Sequence, residues 1–326
     1  MKKRIFLVWA KTARRSTTLA KLLDAKLILL TIDRKGLLIR LFQYLILAIK
    51  TFFILLKENP DFVITQCPPI QILFPIYCYS KIRRSIFIVD AHTGAFIGKG
   101  LHYPVYVKIL RFFLRRARLT IIPNQDLVNY LSPWKISYFI LEDGLPNLEV
   151  KPVVEKLEKA VVLVSGGGSD EPLGKLIQAA KLVPEVKIFI TGAAMPKKEE
   201  PLTQNLINLT FTGFLAEPEY LNLLRQAEII MVLTTRPNTI LCGAYEALSL
   251  EKPMVLSDTE TLRHHFPKGV MPVENTAEGI AQGIKQAFST LPKLQAEILQ
   301  LKSEKNQQWL EKTQQLKERL AVAAQN

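Results

Sequence analysis

Cysteine is scarce, three in 326 residues, and no two of Cys67, Cys78 and Cys242 form a C-x-x-C pair. A disulfide scaffold and a structural zinc ribbon are excluded, and a reducing compartment fits best. No uncharged run is both long and unbroken. The longest, Phe62 to Ser80, is interrupted by Pro68, Pro69 and Pro75, whereas a spanning helix needs about 20 apolar residues. Met1-Lys2-Lys3-Arg4 leads only into the short run Ile5–Ala10 before Lys11, which reads as a first strand and not a secretory signal. Asp-x-Asp is absent, and the adjacent His264 and His265 point apart in most backbones, so no metal site is expected. No short-period repeat is present, which excludes solenoids. Acidic residues are short in one half only: residues 1–150 hold 23 Lys and Arg against 9 Asp and Glu, whereas residues 151–326 hold 20 of each.

The whole net charge of +14 therefore sits in the first half. Two halves with such different surfaces imply two domains with different partners, the basic one facing something anionic. In the first half, short apolar runs (Ile5–Trp9, Lys26–Thr31, Phe62–Thr65, Ser85–Val89, Leu119–Pro123, Ser137–Leu141) alternate with helical patterns. The same alternation restarts after Pro152, with strands at Ala160–Ser165, Val186–Thr191, Leu209–Thr212, Ile229–Leu233 and Pro253–Leu256. Apolar strands separated by helices predict parallel sheets buried on both faces, that is, doubly wound α/β domains. The expected division is 1–150 and 151–326, with a linker near Pro146–Glu155. The tail from Leu294 to Ala324 reads as one long polar helix, solvated or packed back onto the first domain.

Two stretches of the second half suit phosphate chemistry. Gly166-Gly167-Gly168 follows a strand and precedes a helix, where backbone N–H groups cradle anions. The dinucleotide fingerprint fails because position 171 is Glu, and the P-loop pattern fails because Gly174-Lys175 is followed by Leu176. The other stretch is Thr234–Asp258. A strand ends at Thr234-Thr235, and a helix is expected to start near Thr239, capped by Thr239 or Asn238. Its N-terminus, small at Gly243 and Ala244, would receive a diphosphate, and Glu246 two turns in would accept hydrogen bonds from ribose hydroxyls.

The run Gly243–Asp258, G-A-Y-E-A-L-S-L-E-K-P-M-V-L-S-D, resembles the nucleotide-sugar segment of GT-B glycosyltransferases, especially those of family four. Leu209–Leu215 and the E-P-E-Y-L-N-L-L-R-Q-A-E-I-I-M-V-L run that follows are similar to the segment leading to it. Ala13–Leu19, Gln66-Cys67-Pro68-Pro69, Val89–Gly94 and Ser169–Leu173 add a narrower likeness to the chitobiosyldiphosphodolichol β-1,4-mannosyltransferases. The resemblance implies two Rossmann-like domains facing each other across a cleft, a nucleotide-diphosphate sugar as co-substrate, and no other cofactor. It implies a donor site at Gly167, Gly168, Lys175, Thr235, Arg236, Asn238, Cys242, Gly243 and Glu246. Arg14, Arg15 and Ser16 of the first domain would reach the diphosphate. Of the two glutamates that family-four enzymes carry with seven residues between them, Glu246 matches the second, and Asn238 stands at the first. Asp90 or His92, after a strand, would take the proton from an acceptor hydroxyl.

The remaining signal lies in two first-half helices. Leu37–Lys57 is apolar and aromatic, punctuated by Arg40, Lys50 and Lys57, and reads as a core helix whose cations reach outward. Tyr103–Arg118 sets Tyr106, Phe112 and Phe113 beside Lys108, Arg111, Arg115, Arg116 and Arg118, which suits an anionic membrane surface. The acceptor is accordingly expected to be lipid-linked or a polysaccharide precursor, at the cytoplasmic face of the membrane. Three rivals stand beside this reading: a nucleotide-sugar epimerase on the same fold, a non-catalytic relative, and a nucleic-acid-binding protein. The charge asymmetry argues against the first, the missing acid at Asn238 prompts the second, and the lack of a binding motif argues against the third, so no nucleic-acid partner is expected.

Overall fold

The computed structural model describes residues 2–11, 13–31, 37–97, 102–148, 155–192, 200–203 and 206–323. Part of the expected linker, residues 149–154, lies outside them. The chain divides into two compact units, Met1–Gly144 with Trp309–Asn326, and Leu145–Gln308. The division falls at 144/145, where the sequence reading puts 150/151.

The first unit holds β1 (Arg4–Val8), β2 (Lys26–Leu29), β3 (Phe62–Cys67), β4 (Ile86–Ala91), β5 (Leu119–Ile122) and β6 (Tyr138–Ile140). Its helices are α1 (Arg14–Leu22), α2 (Leu37–Glu58), α3 (Leu73–Arg83), α4 (Tyr103–Leu114) and α5 (Val128–Leu131). The sheet order is β2-β1-β3-β4-β5-β6, every pairing parallel. The second unit holds β7 (Ala160–Leu163), β8 (Lys187–Thr191), β9 (Leu209–Gly213), β10 (Ile229–Val232), β11 (Met254–Ser257) and β12 (Val270–Val273). Between and after them lie α6 (Leu173–Lys181), α7 (Glu217–Gln226), α8 (Cys242–Ser249), α9 (Glu260–His265), α10 (Ala277–Ser289) and α11 (Leu291–Ala323). This sheet is also parallel throughout, in the order β12-β11-β10-β7-β8-β9.

Burial on both faces explains the apolar runs. Ile5 and Leu7 enter one apolar cluster while Phe6 and Val8 enter the cluster on the other face. Ile229 and Met231 likewise separate from Ile230 and Val232. Each such side chain contributes about 1.5–3 kcal/mol, and a one-residue slip would exchange the two faces of a strand. The strand Val270–Val273 and the helix Glu260–His265 have no counterpart in the sequence reading. Pro272 lies within β12, and proline is tolerated there because β12 is an edge strand.

One helix departs from expectation. In α2, Gln43, Leu47, Thr51 and Leu55 are buried, four apart, and Trp9 Nε1 donates to Thr51 Oγ1 at 2.9 Å. Phe42, Leu45, Ile49 and Phe53, on another face, are 50–64% exposed, so α2 is a core helix along one stripe only. The long helix α11 serves both units. Leu294, Ile298 and Leu301 are buried in clusters of the second, Leu316 and Leu320 in a cluster of the first beside Phe6 and Leu19.

Candidate active site

In open α/β sheets, ligands bind at the carboxyl ends of the strands. In the first unit, three sequence motifs meet at such an edge because β1, β3 and β4 are neighbours. Arg14, Arg15 and Ser16 form the first turn of α1, just past β1. Ser16, fully buried, donates to Gln66 Oε1 at 2.9 Å, and Gln66 lies opposite Asp90 in the β3–β4 register. Asp90 lies inside β4 rather than after it.

Arg15 is the hub. Its Nε lies 3.0 and 3.1 Å from the two Asp90 carboxylate oxygens, its Nη1 donates to Asp143 Oδ1 at 2.6 Å, and its Nη2 donates to the Leu141 carbonyl at 2.9 Å. The expectation that Arg15 reaches a diphosphate is therefore corrected: its guanidinium is spent inside the unit, and Arg14 is the exposed cation of the pair. Burial works against charging Arg15, but Asp90 and then Asp143 outweigh it and raise its pKa. Burial likewise pushes the Asp90 carboxyl up, and Arg15 and His92 outweigh it, holding the carboxyl below its ordinary range. The Cys67 thiol, raised first by burial and then by Asp90, is pushed up to about 12, which keeps it protonated.

Asp90 has no exposed surface, whereas the His92 side chain is 29% exposed with Nε2 3.0 Å from Asp90 Oδ2. The two are thus a buried carboxylate orienting a solvent-reaching imidazole. A carboxylate bound on Nε2 leaves Nδ1 as the ring nitrogen able to accept a proton.

In the second unit, polar side chains run along the carboxyl ends of four adjacent strands. Asp170, in the loop after β7, accepts from Thr234 Oγ1 at 2.8 Å and pairs with Arg236 at 2.9 Å. Its carbonyl accepts from the Thr235 amide at 2.7 Å. The Thr234 amide donates to Ser257 Oγ at 2.9 Å, Ser257 Oγ donates to Asn275 Oδ1 at 2.8 Å, and Asn275 Nδ2 returns to the Thr234 carbonyl at 2.9 Å. The glycine loop is thereby tied to the loop before α8. Gly166 donates its N–H to Glu171 Oε1 at 2.9 Å, and Gly167 donates to Ser165 Oγ at 3.1 Å, the same hydroxyl that donates to Glu171. A carboxylate thus already sits against the first amide of the turn.

The helix expected near Thr239 begins at Cys242 instead, with Leu241 in extended conformation at its cap and no side-chain capping bond. Asn238 takes a left-handed conformation at φ 54°, which asparagine tolerates better than most residues, and so turns the chain before the helix. Gly243 is required by packing: a Cβ there would lie 2.7 Å from Val164 Cγ1. Glu246 is 5% exposed and accepts from the Tyr220 hydroxyl of α7 at 2.5 Å. Cys242, Thr235, Arg236, Gly167 and Gly168 are exposed at this edge, and Lys175 is exposed on α6.

Sequence reasoning missed Asp143 and Asn275 as partners, because each reaches its neighbour only through the fold. Asp170 and Tyr220 lay within quoted motifs but carried no assigned role. Among the described residues, no group of three or more His, Cys, Asp or Glu side chains is arranged to hold a metal ion, and no helix is long and apolar enough to cross a membrane.

Two parallel six-stranded sheets, each wrapped by helices on both faces, define the GT-B fold. No protein-family model matches the chain, and no curated protein sequence is detectably similar to it. Solved structures are similar over nearly the whole length. Sucrose-phosphate synthase from Thermosynechococcus elongatus superposes with a TM-score of 0.75 at 15% identity, covering 99% of this chain and 100% of that one. HepE from Anabaena, in complex with UDP, gives 0.72 at 15% identity over 98% and 100%. A UDP-N-acetylglucosamine 2-epimerase, so described, from Listeria monocytogenes gives 0.60 at 11% identity over 91% of each chain.

Proposed function

We propose that this protein is a glycosyltransferase that moves a sugar from a nucleoside diphosphate donor to an acceptor hydroxyl. The observation that carries the reading is the second unit's carboxyl edge, where Asp170 joins the glycine loop to the loop that opens α8. That edge presents an uncapped helix N-terminus and the exposed Thr235 and Arg236, with the buried carboxylate Glu246, held by Tyr220, on the same helix. The donor's diphosphate takes the N-terminus of α8, with Cys242 and Gly243 offering backbone N–H groups and Arg236 and Lys175 offering charge. Charge on the leaving diphosphate grows as the glycosidic bond breaks, so these donors act where the transition state needs them. Glu246, oriented by Tyr220, accepts from the ribose hydroxyls. The UDP bound to the similar HepE favours uridine as the base.

In the first unit, His92 takes the acceptor proton and Asp90 fixes its orientation, with Arg15 holding Asp90 charged. Arg14 is the first-unit cation for the diphosphate, and Ser16 positions Gln66. The acceptor is lipid-linked or a polysaccharide precursor, and the protein meets an anionic membrane peripherally through α4 and the residues after it, up to Arg118. No metal or cofactor other than the donor enters this scheme, and no nucleic acid.

The test is thermal stability against UDP, GDP, ADP and their sugars, without added divalent metal. A selective rise with a uridine or guanosine ligand that vanishes in Glu246→Ala supports the donor site. No shift with any of them at millimolar ligand overturns it. The similar epimerase structure favours a second reading, conversion of a UDP-sugar with no acceptor. Interconversion of two free UDP-sugars by the protein alone would establish that reading in place of transfer.

A further inference from the structure

A second concave site lies in the first unit, at the other end of its sheet. A cavity of about 730 Å³ is lined by Tyr77, Lys81, Arg84, Arg116 and Arg118, with Ile86 and Phe87 of β4 among its walls. Ile86 opens β4 and Ala91 closes it, so at about 3.3 Å per residue the cavity and the His92 edge are some 16 Å apart along the strand. Substrates of open α/β sheets bind at the carboxyl ends. A pocket at the amino ends is therefore separate from the transfer site.

Its chemistry is of one sign. Four cations line it and no carboxylate does. Lys81, Arg84, Arg116 and Arg118 are all exposed, and none of them makes an ion pair among the described residues. Lys81 Nζ lies 5.6 Å from the Tyr77 ring centroid, and the Arg116 guanidinium carbon lies 3.6 Å from that of Phe112. The aromatic rings thus hold two of the cations in place while leaving their donors unspent on carboxylates. A cleft lined by one sign of charge concentrates counter-ions, and guanidinium groups match phosphate oxygens in geometry.

The rim identifies the source of the phosphate. Ile82 of α3, next to Lys81, is 62% exposed and Phe112 of α4, under the Arg116 guanidinium, is 41% exposed, while Phe74 of α3, 62% exposed, packs edge-on against Phe113 of α4. A soluble phosphate ester has no use for exposed phenylalanine and isoleucine, whereas a lipid supplies acyl chains for them beside its headgroup. We infer that this cavity is a headgroup site for an anionic phospholipid, seating the phosphate among Lys81, Arg84, Arg116 and Arg118 while Phe74, Ile82 and Phe112 enter the acyl boundary. The inference rests on the reading of the first unit as the one that meets a membrane, and names where it does so.

The experiment is co-sedimentation of the full chain with vesicles of phosphatidylcholine alone, or with about one-third phosphatidylglycerol, in about 0.15 M salt. Wild-type protein sediments with the anionic vesicles only. Arg84→Ser combined with Arg116→Ser lowers the affinity about tenfold or more, each membrane-facing cation contributing on the order of 1 kcal/mol. Its circular dichroism melt stays that of the wild type, since both side chains are exposed. Lys108→Ser with Arg111→Ser, two exposed cations of α4 outside the cavity, has the smaller effect. Equal loss in the two double variants would overturn the headgroup site and leave the membrane reading standing. Wild-type protein that ignores anionic vesicles overturns both. Free glycerol phosphate that binds the protein in solution as tightly as the anionic vesicles do would make a soluble phosphate ester the occupant and overturn the lipid.

Discussion

The Arg15 guanidinium bridges Asp90 and Asp143, two carboxylates 53 residues apart in sequence, and is itself 8% exposed. One side chain from the first turn of α1 therefore fixes the end of β4 and the segment after β6. Removing one member of a buried pair leaves the other as an uncompensated charge, which costs about 3–5 kcal/mol. Arg15→Met is expected to lower urea stability by that amount. Adding Asp90→Asn to it should cost less than the two single changes together, because the neutral amide tolerates burial without the arginine. Fully additive losses would show that the pair is not coupled.

The same pair sets an acid limb. The folded-state pKa of Asp90 is held below its ordinary value. Its contribution to stability is thus complete above the unfolded carboxylate value of about 3.9 and is lost as pH falls through the folded value. Asp90→Asn should be less stable at neutral pH and show a flatter decline below about pH 4. An unchanged acid limb in denaturation curves would place the titrating group elsewhere.

His92 and Asp90 should separate in their effects. His92 is partly exposed and Asp90 wholly buried. His92→Ala is expected to leave the melting temperature and UDP affinity near wild type while lowering kcat by about 10²–10⁴. Asp90→Asn should lower both stability and kcat. Retention of kcat by His92→Ala would remove the imidazole from the chemistry.

Gly243 has no room for a methyl group. Its added Cβ would meet Val164 Cγ1 at 2.7 Å and Val232 Cγ2 at 3.2 Å. Gly243→Ala should destabilise by about 1–3 kcal/mol and weaken nucleotide binding as α8 is pushed from its strand. Val164→Ala in the same chain should restore part of both. Calorimetry and nucleotide titration of the single and double variants read the two effects separately.

Lys252 gives the alkaline limb. Its ammonium donates to the carbonyls of Arg225 and Ala227 at 2.6 and 2.7 Å, yet burial draws its pKa down to about 8. The unfolded chain then binds more protons between about pH 8 and 10.4, so this residue's contribution rises with pH across that window. After discounting for solvent screening, the rise is about 1–2 kcal/mol. The stability difference between wild type and Lys252→Met, measured by urea at pH 7.5 and 10 or so, should shift toward wild type by that amount.

Much of the architecture was legible because parallel strands covered on both faces must be apolar throughout, as Ile5–Val8 and Ile229–Val232 are. The motif residues at strand ends were legible too: Ser16, Gln66 and Asp90 stand where β1, β3 and β4 deliver them to one edge. What was hidden had local reasons. The start of α8 carries Leu241 at its cap, so no polar side chain announces it. The exposed face of α2 is as apolar as its buried one, and hydrophobic periodicity cannot tell Phe42 from Leu47. Arg15 looked like a free cation because its partner Asp143 lies 128 residues away in sequence.

The last stretch of α11 has a consequence for synthesis. Leu316 and Leu320 close an apolar cluster around Phe6, Leu19 and Ile64, residues made some 250–310 positions before them. At about 5–20 residues per second, the ribosome needs roughly 10–40 s to travel from the end of β6 to these leucines. During that interval the nascent first unit waits with one face of its sheet open while the second unit is made and folds. An early stop that removes residues 309–323 would therefore uncover one of the first unit's two apolar clusters, so a truncation meant to trim a polar tail would release an aggregation-prone nascent domain.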